Sequence, residues 1–270
     1  MFNYYKMELY RFLKTKSYWL LTLALFLIVG ISAFTVIPED IDISSAIDGV
    51  KVVTNQIDLS NTLLVKTRID ELVLIFSGNL IQMFTAIVSC LFCGALVQYR
   101  FEKNVIFNSQ SRFYILGADF CVGAIYSFLV MAGLVCLDGG VKLLVNPVFQ
   151  QLPVGNVLLF LRFFVIFFLY IMVLWAAVAL FIQLLNHQLI GIVLCLIYFS
   201  GIPYGMANYL LGSLGLHQKV EPFLPLGRTL LLATQYQTFN FWHWALYGIV
   251  ALALIFACHL WLVNHQDIQV

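Results

Sequence analysis

Charge is scarce in this sequence: 14 Lys and Arg with 13 Asp and Glu make up 10% of 270 residues. A soluble domain carries about 25% charged residues, so a water-exposed globular surface is excluded. Catalytic signatures are missing too. There is no His-Glu-x-x-His pair, no Gly-x-Ser-x-Gly elbow and no Gly-x-x-x-x-Gly-Lys-Ser/Thr phosphate loop. Catalysis within this chain is therefore not expected, and any ATP would be bound by another subunit. No loop offers the basic face of a nucleic-acid binder. No internal repeat of about 20–50 residues is visible, so a carrier of two sequence-similar halves gains no support.

The six cysteines (Cys90, Cys93, Cys121, Cys136, Cys195, Cys258) all lie inside apolar runs. Cys90 and Cys93 form a Cys-x-x-Cys with no His or acid beside it to lower a thiol pKa. Both read as small packing residues. The histidines (His187, His217, His243, His259, His265) fall at helix ends or in loops. The topology below puts His243 outside and His187, His259 and His265 inside, so they do not converge on a metal.

What is present is apolar bulk, 62% of the chain. A helix needs about 20 mainly apolar residues to cross the hydrocarbon. The sequence predicts an all-α membrane protein with six transmembrane helices, near 18–37, 72–98, 113–137, 157–184, 188–211 and 241–263. The whole chain, 1–270, reads as one transmembrane domain. Residues 1–17 are basic and polar, and the run after them lacks a small-residue cleavage site, so it reads as a retained first helix.

Orientation follows from basic residues near helix ends. Lys6, Arg11, Lys14 and Lys16 precede span one, and Arg100, Lys103 and Arg112 crowd the loop 99–112. Those stretches share a side, the cytoplasm, which also holds both termini of a six-span chain. The outer loop 38–71 is mostly acidic.

Phe2, Tyr5, Leu9, Phe12 and Leu13 share one helical face, with Glu8, Arg11 and Lys14 away from it. That pattern fits an amphipathic helix lying in the membrane interface. A plain basic flank is the simpler alternative. In 212–240, Gly212, Gly215, Pro222, Pro225 and Gly227 precede the short apolar run 229–234. This segment fits a short re-entrant outer helix before the last span, or a plain outer loop.

In span two, Asn79, Gln82, Thr85 and Ser89 recur at three- or four-residue spacing. Such a face must point at protein or water, as the wall of a translocation path or as polar glue between helices. Span five carries a second such face through Ser200, Tyr204 and Asn208, beside Gly201 and Gly205. Pro203 removes a backbone donor and should kink the helix. Asp119 lies about 9 Å into span three at 1.5 Å per residue. It reads as a proton or cation site, or as the partner of a base such as Arg100. Arg162 sits near the outer end of span four and can snorkel to headgroups.

The loop Glu102-Lys103-Asn104-Val105-Ile106, followed by Ser111-Arg112, resembles a cytoplasmic signature of bacterial type-2 ABC-transporter permeases. The run Lys6-x-Glu8-x-x-Arg11-x-x-Lys14 is similar to the family's start, and Asp267-Ile268 to its common ending. Gln110 stands where a Gly is usual, and Asp119 where many members carry Lys. The resemblance implies a multi-pass subunit of the bacterial cytoplasmic membrane, working in an ATP-driven exporter. Its cargo would be antimicrobial peptides, lantibiotics or drugs. The chain would bind no cofactor itself. A dimer of ABC ATPase subunits would hold ATP and Mg, and a second permease, identical or a sister, would complete the path. In this reading Arg100, Glu102, Lys103, Asn104, Ser111 and Arg112 couple to the ATPase, and the polar faces of spans two and five line the path. Two rivals from other classes are an ion-coupled carrier using Asp119 and a membrane sensor or scaffold.

Overall fold

The computed structural model describes residues 2–35, 73, 75–76, 79–98, 113–145, 154–185, 187–199, 202–213, 232 and 239–265. Among these residues the chain is all-helical. In chain order the helices are α1 (Phe2–Lys14), α2 (Lys16–Thr35), α3 (Asn79–Gln98), α4 (Phe113–Val145), α5 (Val154–Leu185), α6 (Gln188–Phe199), α7 (Ile202–Ser213) and α8 (Phe241–His265).

Three helical stretches are long and apolar enough to cross a membrane: Leu116–Asp138, Val157–Leu185 and Phe241–Leu262. A fourth candidate is the pair Tyr5–Lys14 and Lys16–Ile31, bent by 60° at its break. Leu80–Ala95 and Gln188–Phe199 are shorter apolar helices. Helices and apolarity of this length are the marks of a membrane protein.

Side-chain contacts fix the helix directions. Thr22, Phe26 and Gly30 of α2 meet Tyr126, Gly133 and Leu137 of α4, so α2 and α4 run parallel. Along α5 the order reverses: Phe128 of α4 packs on Phe164 and Phe168, whereas Gly123 and Tyr126 meet Trp175. α5 is therefore antiparallel to α4. Phe76, shortly before α3, packs on Phe163 and Phe167, and Phe92 packs on Trp175, so α3 runs with α5. Gly191 of α6 abuts Ile182 as the chain turns back along α5. Tyr170 meets Trp244 and Tyr247 of α8, while Phe256 reaches Phe120 near the start of α4. α8 thus runs with α5. In sum α2, α4 and α6 point one way, and α3, α5 and α8 the other.

α5 is the hub. It packs on α3, α4, α6 and α8, and 67% of its apolar window is buried within the chain, against 17% for α8. Its core is aromatic: Phe163, Phe167, Tyr170 and Trp175 are buried around Phe76, Phe92 and Tyr126. Aromatic pairs in such tilted and edge-on arrangements gain beyond their area. Gly123 lets α4 approach Trp175, because a Cβ there would lie 2.6 Å from the indole.

The span expected over 113–137 falls on the apolar stretch Leu116–Asp138, and the helix α4 itself continues to Val145. Two expectations need correction. The stretch expected as one helix over 188–211 contains two described helices, ending at Phe199 and resuming at Ile202. Pro203 stands in the first turn of α7, where its missing donor has no intrahelical partner to lose. The second correction concerns Glu8, expected away from the apolar face of α1 but buried together with Phe12 of that face, while Leu13 of the same face is 50% exposed. Glu8 turns inward because Arg11 accompanies it, as described below. The segment 229–234 and the outer loop 38–71 lie outside the described residues, apart from the buried Leu232.

Candidate functional site

One end of the bundle gathers α1, the starts of α2, α4 and α6, and the ends of α3, α5 and α8. The bend between α1 and α2 is built there by hydrogen bonds that satisfy the last carbonyls of α1. Thr15 donates its hydroxyl to the Arg11 carbonyl (2.8 Å) and its amide to that of Phe12 (3.3 Å). The Trp19 indole N–H donates to the Leu13 carbonyl at 3.0 Å. Helix ends leave carbonyls needing such partners.

Phe12 anchors this elbow to three helices at once. Its ring stacks on Tyr18 at 4.9 Å and meets Phe92 of α3 at 5.6 Å and Tyr126 of α4 at 5.4 Å. Beside it, Arg11 pairs with Glu8 at 3.0 Å and holds its guanidinium 4.7 Å over the Phe92 ring. The pair makes burial of the Glu8 carboxylate affordable, since an unpaired buried charge is far costlier. Tyr5 places its hydroxyl against Gly117, which seats α1 on the start of α4.

The polar face of α3 turns inward onto α5. Gln82, Thr85 and Ser89 are all buried. Thr85 donates to the Ile81 carbonyl of its own helix at 2.7 Å, and Ser89 donates across to the Trp175 carbonyl at 3.4 Å. Asn79 is the first residue of α3, but its side chain is outside the described ones. On α7, Tyr204 and Asn208 occupy helical positions four residues apart, again without described side chains, and Ser200 falls outside the described residues. α7 packs on α6, and α6 packs on α3.

The expected coupling residues Arg100, Glu102, Lys103, Asn104, Ser111 and Arg112 also lie outside the described residues. Their anchors do not: α3 ends at Gln98 and α4 begins at Phe113, both at the end of the bundle where α1 sits.

The sequence reading overlooked several buried polar groups. Asp138, Ser127 and Gln183 are buried, and so is His259 near the end of α8. Asp119 is buried as well. Gln183, His259 and Asp119 share the α1 end of the bundle, while Asp138 lies toward the other. Arg162 is exposed near the start of α5. Cys90 pairs sideways with Cys195 of α6, at 3.4 Å between sulfurs, rather than with Cys93. Among the described residues no group of three or more His, Cys, Asp or Glu is placed to hold a metal.

The class defined by these features is an all-helical membrane protein. No family model matches the chain, and neither a curated protein nor a solved structure matches it.

Proposed function

We propose that this chain is the transmembrane permease subunit of an ATP-driven exporter in a bacterial cytoplasmic membrane. The observation that carries the reading is the sequence 99–112, with its Lys103-Asn104 and Ser111-Arg112 pairs, joining the end of α3 and the start of α4 at the end of the bundle that holds the α1–α2 elbow. A push on that loop would reach α3 and α4 directly, and through Phe12 and Phe92 the elbow would move with them. The alternating helix directions support six crossings, with α6 and α7 together forming the fifth. The basic residues then put both termini, the elbow and 99–112 in the cytoplasm.

In this reading two ATPase subunits dock under the elbow and 99–112, and a second permease completes the path. Antimicrobial peptides, lantibiotics or drugs are the cargo class. Ser89 ties α3 to α5 through the Trp175 carbonyl, so the two helices would swing together, and α7, which carries Tyr204 and Asn208, would line the path.

Co-expression with a candidate ATPase tests this. Co-elution in detergent with ATP hydrolysis is the expected result, and Arg112→Glu should uncouple hydrolysis while leaving membrane insertion intact. A chain that never holds an ATPase yet transports under a proton gradient overturns the proposal. That outcome would favour an ion-coupled carrier, for which the buried Asp119 is the supporting observation.

A further inference from the structure

A groove of about 750 Å³ runs between α2 and α4, starting at the elbow. Its two ends differ in chemistry. Lys14 and Lys16 flank the elbow end, one on each side of the break between the helices. Both are exposed, and no acidic side chain among the described residues pairs with either. Beyond them the walls are apolar, with Leu20, Leu23 and Phe26 from α2 and Leu129 from α4. Leu20 is 64% and Leu23 55% exposed, so the groove opens sideways. Thr22 and Tyr126 line it too, but their hydroxyls bond to each other at 3.1 Å, and Thr22 also donates to the Tyr18 carbonyl. The polar atoms of that wall are therefore already satisfied.

The dimensions select an occupant. From Lys16 to Phe26 is ten residues, about 15 Å of helix at 1.5 Å per residue. That is half of a hydrocarbon core of about 30 Å, the depth of a single leaflet. An anion at the lysines with one hydrocarbon chain reaching Phe26 would thus lie as a bilayer lipid lies. Trp19, at the lysine end of the groove, is the residue type that membrane interfaces favour.

We infer that this groove holds one anionic phospholipid, its phosphate between Lys14 and Lys16 and an acyl chain along Leu20, Leu23, Phe26 and Leu129. A zwitterionic lipid offers the same chain but carries its own ammonium beside the phosphate, so the lysines discriminate against it. The inference rests on the membrane location alone and not on the exporter reading. Failure to recruit an ATPase leaves it standing.

The test uses the full chain reconstituted in vesicles of mixed phosphatidylglycerol and phosphatidylcholine. After extraction into mild detergent, native mass spectrometry counts the lipids retained per chain. One phosphatidylglycerol should be retained in preference to phosphatidylcholine. Lys14→Gln and Lys16→Gln should each weaken that preference roughly fivefold, as expected for one basic residue at an anionic surface. Lys6→Gln removes the same charge from a residue outside the groove and should change nothing. Leu129→Trp fills the apolar wall and should reduce retention of both lipids. Equal retention of the two lipids by the unaltered chain overturns the site. So does a loss with Lys6→Gln as large as with Lys14→Gln, because the attraction would then be diffuse.

Discussion

The sulfur of Cys90 on α3 lies 3.4 Å from the sulfur of Cys195 on α6, in van der Waals contact across two antiparallel helices. Both are free thiols. A variant keeping only these two cysteines should therefore form a disulfide when treated with copper phenanthroline, the two thiols giving two electrons to the oxidant and releasing two protons. Peptide mass spectrometry should recover a linked α3–α6 peptide two hydrogens lighter than its parts. A variant keeping Cys93 and Cys195 instead should link far more slowly. Equal yields would mean that the register of α3 against α6 is wrong.

The elbow predicts non-additivity. Arg11→Leu strips the buried Glu8 of its ion-pair partner, and Glu8→Leu leaves Arg11 its contact with Phe92. A double-mutant cycle on thermal stability in detergent should give a favourable coupling of about 1–3 kcal/mol between the two positions. Arg11 is 25% exposed, which holds the value below that of a fully buried pair. Additive effects would show that the pair is solvated.

Gly123 offers a steric test. Gly123→Leu would drive its side chain into the Trp175 indole, and overpacking of this kind costs about 1–3 kcal/mol. The melting temperature should fall, and Trp175→Phe in the same chain should recover part of the loss. A silent Gly123→Leu would place α4 further from α5 than described here.

The polar face of α3 gives an ordering. Thr85 bonds within its own helix, whereas Ser89 bonds across to the Trp175 carbonyl. Thr85→Val should thus cost less than Ser89→Ala, whose lost hydrogen bond contributes about 0.5–1.5 kcal/mol. Thermal denaturation of the two variants settles the order, and the reverse would argue that Ser89 does not face α5.

Much of the helical frame was legible from apolar run lengths, which place α2, α5 and α8 within a few residues at both ends. The rest depended on contacts that periodicity does not carry. The helix α4 runs on through Asp138-Gly139-Gly140, past the apolar run that marks the span, a continuation that hydropathy does not carry. Glu8 reads as outward because charge belongs in water, whereas the structure buries it beside Arg11. The polar face of α3 was visible at its spacing, but its partner, the Trp175 carbonyl, is a backbone atom that no side-chain pattern marks. His259 looked like a helix-end residue because its position near the chain's last turns says nothing about the side it presents.

The seat of α8 on α5 bears on how the protein is made. α8 is the last described helix to leave the ribosome, and the surface it needs belongs almost wholly to a helix synthesised well before it. α2 to α6 can already be packed around α5 when α8 arrives, and with most of its apolar window unburied it adds to a finished assembly as a late lodger. A chain halted before Phe241 would therefore keep the seats of α3 and α4 on α5 but strip Tyr170 of Trp244 and Tyr247, its aromatic partners on α8.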